Sequence, residues 1–291
     1  RLGVRKVANE NFLLKIQSLY NQFTNAEKKV ADYALQNPKK VLFMSITELA
    51  EACDVGDTSV FRFCRTMELR GYQEFKMRLS LSITEDNEDT EQLGKHINSS
   101  DAFAELAQKV LKTNLNAINE TFNLLNLEEF SRAMDYFENA HNVYFFGVGA
   151  SMLTAMEAMN KFLRITPKVH CVQDSHMQAM TASMLTDKDL AIVISYSGST
   201  KDTINVAKLA KEAGAKVVTI TRFIKSPLTS FSDVTILCGA NESPLQGGST
   251  SVKMGQLYLL DLMYMEYYRR SFEISQNNNQ KTSSSILEKL Y

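Results

Sequence analysis

The sequence predicts an α/β protein in two parts, an all-helical head followed by a three-layer αβα domain with a five-stranded parallel sheet. Residues 11–83 carry helical periodicity and helix-capping motifs throughout. Beyond residue 141, short apolar runs alternate with helical runs. This alternation is typical of a parallel sheet covered on both faces, because parallel strands need a crossover connection between them.

Composition predicts the boundaries of these parts. We expect a head at 1–83, a polar and acidic linker at 84–100, an α/β domain at 101–274 and a polar tail at 275–291 that frays. The α/β domain should begin with helix over 101–138, whose apolar stripe is Phe103, Leu106, Val110, Leu111, Leu115 and Ile118. The predicted strands are 143–146, 169–172, 190–195, 216–221 and 234–237.

The bulk composition excludes several classes of protein. Hydrophobic residues make up 44% and charged residues 22%, as in ordinary globular proteins, and no apolar run approaches the ~20 residues that span a bilayer. The mixed, charged first residues do not resemble a secretory leader. The four cysteines, Cys53, Cys64, Cys171 and Cys238, are far apart and do not cluster with histidines. We therefore expect no metal, no cofactor and a cytoplasmic protein with reduced thiols.

The charge is distributed unevenly along the chain. The net charge is −1, but residues 1–83 carry 13 Lys and Arg against nine Asp and Glu. Residues 84–140 carry four basic residues against 12 acidic ones. The modest basic excess of the head makes it the end where we expect nucleic acid to bind.

Helix-capping motifs divide the head. Segments 24–27 and 45–48 both have capping-box spacing and predict helices that begin there. Asp57 is the predicted N-cap of a third helix over 58–67, and a further helix is predicted over 72–83. The short helix after 45–48, the tight glycine-containing turn and the helix over 58–67 match a helix-turn-helix, whose second helix enters the major groove of DNA.

The helix over 58–67 has two different faces at ~100° per residue. Its inner face is apolar: Val60, Phe63, Cys64 and Met67. Its outer face carries two arginines, three hydroxyls and no acid: Thr58, Ser59, Arg62, Arg65 and Thr66. Arginine pairs with guanine and hydroxyls reach bases or phosphates, so these five residues are the predicted DNA contacts. On geometry alone, a plain helical bundle with surface arginines stays equally open.

The stretch SITELAEACDVGDTSVFRFCRTMELRGYQEFKMRL resembles the helix-turn-helix of RpiR-type transcription regulators. The residues that fit the family pattern are Glu48-Leu49-Ala50, Val55, Val60, Arg62-Phe63-Cys64-Arg65, Gly71-Tyr72 and Glu74-Phe75-Lys76. The chain departs from the pattern at Asp57, where serine is usual, and at Phe61, which is often aliphatic. The resemblance implies a homodimer or dimer of dimers on a palindromic double-stranded operator.

Two loops rich in glycine and hydroxyls follow predicted strands, at 147–151 and 195–200. Open α/β sheets bind ligands at the carboxyl ends of strands, and each loop leads into a helix whose N-terminus favours an anion. The first loop alone also begins like a dinucleotide fingerprint, with Met152 in place of its last glycine and Asp174 as the acid for a ribose. The second loop argues against a nicotinamide site, because that fold needs no SxSGxT there.

In this order and spacing the two loops resemble the SIS (sugar isomerase) domain, over about residues 101–270. The resemblance implies a flavodoxin-like strand order and a ligand that is a phosphorylated sugar or amino sugar. The expected ligand-binding residues are Gly149, Ser151, Ser195, Ser197, Gly198, Thr200 and Glu242. Tyr196 stands where isomerising members often have glutamine. Glu242 is either a sugar-hydroxyl ligand or a solvated loop acid, and His176 lies either in the pocket or in a helix-capping or partly buried place.

Two functions follow from these expectations. The first is a regulator of sugar metabolism whose operator affinity responds to a phosphorylated sugar. The second is a sugar-phosphate isomerase or lyase with an accessory DNA-binding head, which would need a placed base. The candidate bases, Glu157, Glu242 and His176, include no paired carboxylates. The helix-turn-helix therefore favours the regulator, without catalytic residues.

Overall fold

The structure is a computed structural model that describes residues 12–86, 101–240 and 249–287. These residues fall into two compact units. The first, the head, comprises residues 12–86, and the second, the α/β domain, comprises residues 101–240 and 249–287.

The described part of the head is helical, as predicted. Its helices are α1 (Phe12–Ser18), α2 (Asn25–Gln36), α3 (Pro38–Val41), α4 (Ile46–Ala52), α5 (Asp57–Thr66) and α6 (Tyr72–Asp86). Both predicted capping boxes are confirmed: the side chain of Thr24 accepts from the amide of Glu27, and Ser45 accepts from Glu48. The backbone amides of Thr24 and Ser45 donate back to those glutamates at 2.8 Å each.

Aromatic rings hold the head together around α5. The ring of Phe63 lies 5.1 Å from that of Phe23 and 5.4 Å from that of Phe75, measured between centroids. The predicted inner face of this helix is confirmed, because Val60, Phe63, Cys64 and Met67 are all buried. Such close-packed side chains fix the rotation of α5 about its own axis.

The start of α5 differs from the prediction. Helix α5 begins at Asp57, and its N-cap is Gly56, which has extended backbone and offers no side chain to cap. The carboxylate of Asp57 instead accepts a hydrogen bond of 2.8 Å from the hydroxyl of Thr47 on α4. The predicted N-cap at Asp57 is therefore wrong, because a tertiary partner is available to this carboxylate.

The α/β domain contains the predicted five-stranded parallel sheet. Its strands are β1 (Asn142–Phe146), β2 (Val169–Cys171), β3 (Asp189–Ile194), β4 (Lys216–Thr221) and β5 (Val234–Leu237). Their order across the sheet is β2-β1-β3-β4-β5, with every neighbouring pair parallel. This is the flavodoxin-like order that was expected.

Helices cover both faces of the sheet and make the three predicted layers. The domain's helices are α7 (Phe103–Asn123), α8 (Leu127–Asn139), α9 (Ala150–Phe162), α10 (Ser175–Ser183), α11 (Lys201–Glu212), α12 (Thr250–Arg270) and α13 (Phe272–Leu287). One core lies between the sheet and α8, α9 and α12, and another between the sheet and α10 and α11. The helix that follows β1 and the helix that follows β3 therefore lie on opposite faces.

Two predictions for this domain need correction. The helix predicted over 101–138 is interrupted, because the side chain of Asn126 caps a new helix, α8, by accepting from the amides of Glu128 and Glu129. The tail expected to fray is helical as far as Leu287, and the Asn278 side chain donates 2.9 Å to the carbonyl of Ile165.

The apolar stripe of α7 is largely unburied within the chain. Phe103 is 83% exposed, and Val110, Leu111 and Leu115 are exposed as well.

None of the helices in the described ranges has the length and apolar character to cross a membrane. Across the same ranges, histidine, cysteine and acidic side chains do not gather in threes that could hold a metal ion.

Candidate functional site

The turn between α4 and α5 owes its shape to Asp54. Asp54 has a positive φ of 50°, a left-handed conformation that the short polar side chain of aspartate tolerates. Its carboxylate lies 3.2 Å from the ammonium of Lys29 on α2. The glycine of this turn, Gly56, does not supply the left-handed residue, since its φ is −86°.

The outward face of α5 is narrower than predicted. Thr58, Arg62 and Arg65 are exposed, in agreement with the prediction. Ser59 is only 8% exposed, so its predicted place on the outer face is wrong. Helices α2, α4 and α6 all pack on α5, so the buried side of this helix extends beyond its four apolar residues. Sequence reasoning also missed Phe61, which is exposed beside the two arginines.

Thr66, the fifth predicted contact, is engaged within the head. Its side chain is half-buried, and its hydroxyl donates a hydrogen bond of 2.9 Å to the Glu27 carboxylate on α2. The arginines make hydrogen bonds to nearby backbone: Arg62 Nε donates to the Thr58 carbonyl on α5 at 3.4 Å, and Arg65 Nη1 donates to the carbonyl of Leu69, beyond the end of α5, at 3.3 Å. Among the described residues, both guanidinium groups therefore keep most of their donors for another molecule.

The α/β domain has its topological switch point between β1 and β3. These neighbouring strands pair from Asn142 with Asp189 to Phe146 with Val193. The chain leaves β1 for a helix on one face and leaves β3 for a helix on the other. A crevice forms outside the carboxyl ends of such strands and is where open α/β sheets bind ligands. Both predicted loops lie at this edge.

The first loop, residues 147–151, depends on two glycines. A Cβ on Gly147 would lie 2.9 Å from the backbone of Ser151, so only glycine fits there. Gly149 has a φ of +56° and is the N-cap of α9. Ser151 is half-buried in the first turn of α9. Sequence reasoning missed Gln178, which is 1% exposed and donates from Nε2 to the carbonyl of Gly147 at 3.0 Å.

The second loop, residues 195–200, is hydrogen-bonded to β4 at its start and requires glycine at position 198. Ser195 is buried, and its amide donates to the carbonyl of Ile220 at 3.0 Å. Gly198 has a φ of +60°, and a Cβ there would meet Ser226 Oγ at 2.2 Å. The hydroxyl of Ser197 accepts from the Ser199 amide at 3.3 Å.

Thr200 ends the second loop as the N-cap of α11. Its side chain makes no capping hydrogen bond in this structure. The hydroxyl of Thr200 and the first amides of α11 are therefore donors at one end of the crevice. A helix N-terminus of this kind favours a negative charge.

A third segment, residues 222–228, supports the second loop and was not predicted. The amide of Arg222 donates to the carbonyl of Tyr196 at 3.1 Å, and the amide of Leu228 donates to that of Gly198 at 3.0 Å. The rings of Phe223 and Tyr196 meet edge to face at 6.2 Å. This segment follows β4 directly, so the sequence could have predicted that it lies beside the two loops at the carboxyl edge of the sheet.

Two further candidates, His176 and Glu242, remain. His176 is exposed, and Asp174 is the residue that caps α10, by accepting from the amide of Met177 at 3.0 Å. The helix-capping or partly buried alternative for His176 is therefore wrong, and its place in the pocket stays a prediction. Glu242 lies outside the described residues. Ser249 caps α12 by accepting from the amide of Val252.

Comparisons with known proteins match both parts of the chain. The model of the helix-turn-helix domain of the rpiR family matches residues 10–86, and the model of the SIS domain matches residues 136–266. Together these two domains define a helix-turn-helix transcriptional regulator with a SIS domain. An HTH-type transcriptional regulator from Haemophilus influenzae is 38% identical over 279 residues, which covers 96% of this chain and 97% of that protein. The chain belongs to the RpiR family of transcriptional regulators, which confirms the resemblance.

Regulators with individual names are also similar to this chain. HexR from Pseudomonas aeruginosa is 35% identical over 73% of both chains, and HexR from Escherichia coli is 28% identical over 96% of this chain and 95% of its own. Among solved structures, NanR from Vibrio vulnificus complexed with ManNAc-6P is 28% identical, with a TM-score of 0.84. The match covers 96% of this chain and 99% of that chain.

Proposed function

We propose that this transcriptional regulator binds its operator through α5, and that a phosphorylated sugar or amino sugar bound at the β1–β3 switch point changes the operator affinity. One observation carries the proposal. Two loops rich in hydroxyls and backbone amides follow the neighbouring strands β1 and β3, and the helices after these loops pack on opposite faces of the sheet. The similarity to NanR, a protein complexed with ManNAc-6P, supports a ligand of this chemistry.

The phosphate is proposed to lie between the N-termini of α9 and α11. Ser151, Ser197 and Thr200 would donate their hydroxyls, and the amides beside Gly149 and Gly198 would donate as well. Charge-assisted hydrogen bonds of this kind are about twice as strong as neutral ones. Ser195 is buried, so we propose that it fixes the loop through the hydrogen bond from its backbone amide to β4 and does not contact the ligand.

The operator contacts are proposed to come from Thr58, Arg62 and Arg65. All three are exposed on one side of α5, and the guanidinium groups suit paired hydrogen bonds to guanine. Ser59 is buried and Thr66 is bound within the head, so these two are proposed to support the helix.

The active regulator is proposed to be a homodimer or a dimer of dimers. Helix-turn-helix proteins bind two half-sites one helical turn of DNA apart, which requires two heads. The exposed apolar residues of α7, including Phe103, Leu111 and Leu115, support an interface on the α/β domain, because such patches mark interaction sites.

We further propose that the protein is not an isomerase or lyase. Two candidate bases, Glu157 and His176, are both exposed on helices. Proton transfer at a sugar carbon needs a base held within hydrogen-bond reach of that proton, in a site that excludes water. Incubation with sugar phosphates, followed by product analysis, tests this point: turnover would contradict it.

The effector proposal is tested by calorimetry of the full chain with a panel of sugar phosphates that includes ManNAc-6P. The operator is first obtained by selection from a random duplex library. We expect one phosphorylated sugar to bind and to change operator affinity, and the unphosphorylated sugar to do neither. The variant Ser197→Ala should weaken binding, whereas the control Ser183→Ala should not, since the Ser183 hydroxyl bonds to Met180 within α10. Equal binding of both sugars would contradict a phosphate site.

A further inference from the structure

Glu27 is a buried acid that joins two helices of the head. It is only 4% exposed, although it lies in the first turn of α2. One carboxylate oxygen, Oε2, accepts from both the amide and the hydroxyl of Thr24 at 2.8 Å. The other oxygen, Oε1, accepts from the hydroxyl of Thr66 at 2.9 Å. The same side chain therefore caps α2 and binds the last residue of α5.

The charge state of Glu27 suits this bridging role. Burial raises the pKa of its carboxyl, but the hydrogen bonds from Thr24 and Thr66 and the nearby charge of Arg62 lower it, and the net pKa lies below its usual value. Glu27 is therefore ionised at neutral pH, and its hydrogen bonds are charge-assisted. Arg62 and Thr66 are four residues apart and lie on neighbouring turns of α5.

Helix α2 lies outside the helix-turn-helix itself, which consists of α4 and α5. Base recognition needs side chains held to within about 0.5 Å, which requires support from surrounding residues. Attraction to the phosphate backbone is less demanding, because it depends on total charge rather than on register. A support for α5 should therefore affect specific binding more than non-specific binding.

We propose that Glu27 is a positioning residue for operator recognition, which holds the C-terminal end of α5 through Thr66 and sets the direction of Arg62. Thr66 then acts through Glu27 rather than by contacting DNA. The inference rests on the proposed role of α5 in operator binding. It also accounts for the half-buried place of a hydroxyl that the sequence pattern assigned to the DNA surface.

The test measures the affinity of the full-length protein for the selected operator and for a scrambled duplex, at a temperature well below unfolding. We expect Thr66→Val to weaken operator binding at least about tenfold, as for loss of one hydrogen bond to a charged group. Binding to the scrambled duplex should stay unchanged. Thr66→Ser keeps the hydroxyl and should restore operator affinity.

A double-mutant cycle separates positioning from direct contact. Glu27→Gln should weaken operator binding several-fold, and the combined Glu27→Gln and Thr66→Val variant should bind no more weakly than the worse single variant. The matched control is Tyr20→Phe, which deletes another hydroxyl that donates to an α2 carboxylate, that of Asp32 at 3.1 Å, with neither partner on α5. It should lower stability similarly but leave operator affinity unchanged.

Three outcomes would overturn the proposal: wild-type operator affinity in Thr66→Val, full additivity of the two losses, or equal weakening on both duplexes. Failure of the underlying function has a different appearance. If the wild-type protein selects no operator, or if Arg62→Ala binds as the wild type does, the role of α5 is wrong rather than that of Glu27.

Discussion

The hydroxyl of Tyr196 donates a hydrogen bond of 2.8 Å to the carbonyl oxygen of Ala240. Tyr196 lies in the second loop, and Ala240 follows β5 with a positive φ of 87°, a strained conformation for alanine. The amide of Ala240 donates to Glu120 at 2.9 Å, and that of Gly239 donates to the hydroxyl of Thr121 at 2.8 Å, both on α7. Continuous hydrogen bonds therefore join the proposed effector loop to α7.

This connection predicts separate effects on binding and on response. Tyr196→Phe removes the hydroxyl but keeps the ring against Phe223, so effector affinity should change by less than about threefold. The effector-induced change in operator affinity should fall severalfold, since coupling travels through linked elements. Operator titrations with and without effector measure both quantities. Tyr258→Phe, on α12, is the control, and a full response in Tyr196→Phe would contradict the coupling.

The second loop predicts the strength of effector binding. Ser197→Ala and Thr200→Ala each remove a hydroxyl donor to phosphate, worth about 1.5–3 kcal/mol, so each should weaken binding at least about tenfold. The unfolding temperature without effector should hardly move, because neither side chain is buried. Calorimetry and thermal unfolding provide the two measurements. An unweakened isotherm in both variants would remove the phosphate site from this loop.

The exposed arginine at the centre of α5 predicts specificity. Arg62→Ala should weaken operator binding by about 1–3 kcal/mol if Arg62 reads a base. Arg78→Ala is the matched control, since Arg78 is a partly exposed arginine of α6 that pairs with Glu74. Arg78→Ala removes the same charge and should change the free energy of operator binding little. Fluorescence titration with operator DNA compares the two, and equal losses would indicate a general charge effect.

The apolar face of α7 predicts the oligomeric state. Leu111→Asp combined with Leu115→Asp should convert dimers to monomers, because charges buried in an apolar interface lose their hydration. Operator affinity should fall with it, since one head reaches one half-site. Sedimentation analysis measures the mass. Leu14→Asp, at an exposed leucine of α1, is the control and should remain dimeric; a dimeric double variant would place the interface elsewhere.

A buried lysine predicts the pH dependence of the head's stability. Lys76 donates from Nζ to the carbonyl of Met44 at 3.2 Å and lies 5.2 Å from the ring centroid of Tyr72. Burial lowers the pKa of Lys76 to about 8, although the charge of Glu48 raises it. Between pH 8 and 10 the unfolded chain binds more protons at this lysine than the folded head does. The contribution of Lys76 to the free energy of unfolding therefore rises with pH across this range and is constant below it.

Lys76→Met tests this dependence in the full chain. The difference in unfolding free energy between wild type and variant should shift in favour of the wild type as the pH rises from 8 to 10. Denaturant unfolding at several pH values measures that difference, and subtracting the two curves removes groups common to both proteins. Lys76 would have an ordinary pKa if the difference were constant over this range.

Local sequence predicted several features whose interacting residues are close along the chain, although it missed the helix cap at Asn126. The capping boxes at Thr24 and Ser45 were predictable because each joins residues three positions apart. The five strands and the inner face of α5 were predictable from apolar periodicity. The two loops were predictable because glycine and hydroxyls follow an apolar strand directly, and parallel strands bring their carboxyl ends to one edge of the sheet.

Tertiary packing decided what periodicity leaves open. Helical spacing put Ser59 on the outer face, but three neighbouring helices on α5 bury it. Helical spacing also predicted an apolar stripe on α7, but it did not indicate whether other parts of this chain bury that stripe.

The sequence by itself determined most of the helices, the strands, their order of appearance and the two loops, because short-range hydrogen bonds and apolar periodicity specify them. Only the tertiary structure decided which side chains meet: Glu27 with Thr66, Gln178 with Gly147, and Tyr196 with Ala240. These partners are 31 to 44 residues apart. No local pattern encodes such pairs, because they depend on how packed helices and strands place distant side chains within hydrogen-bonding distance.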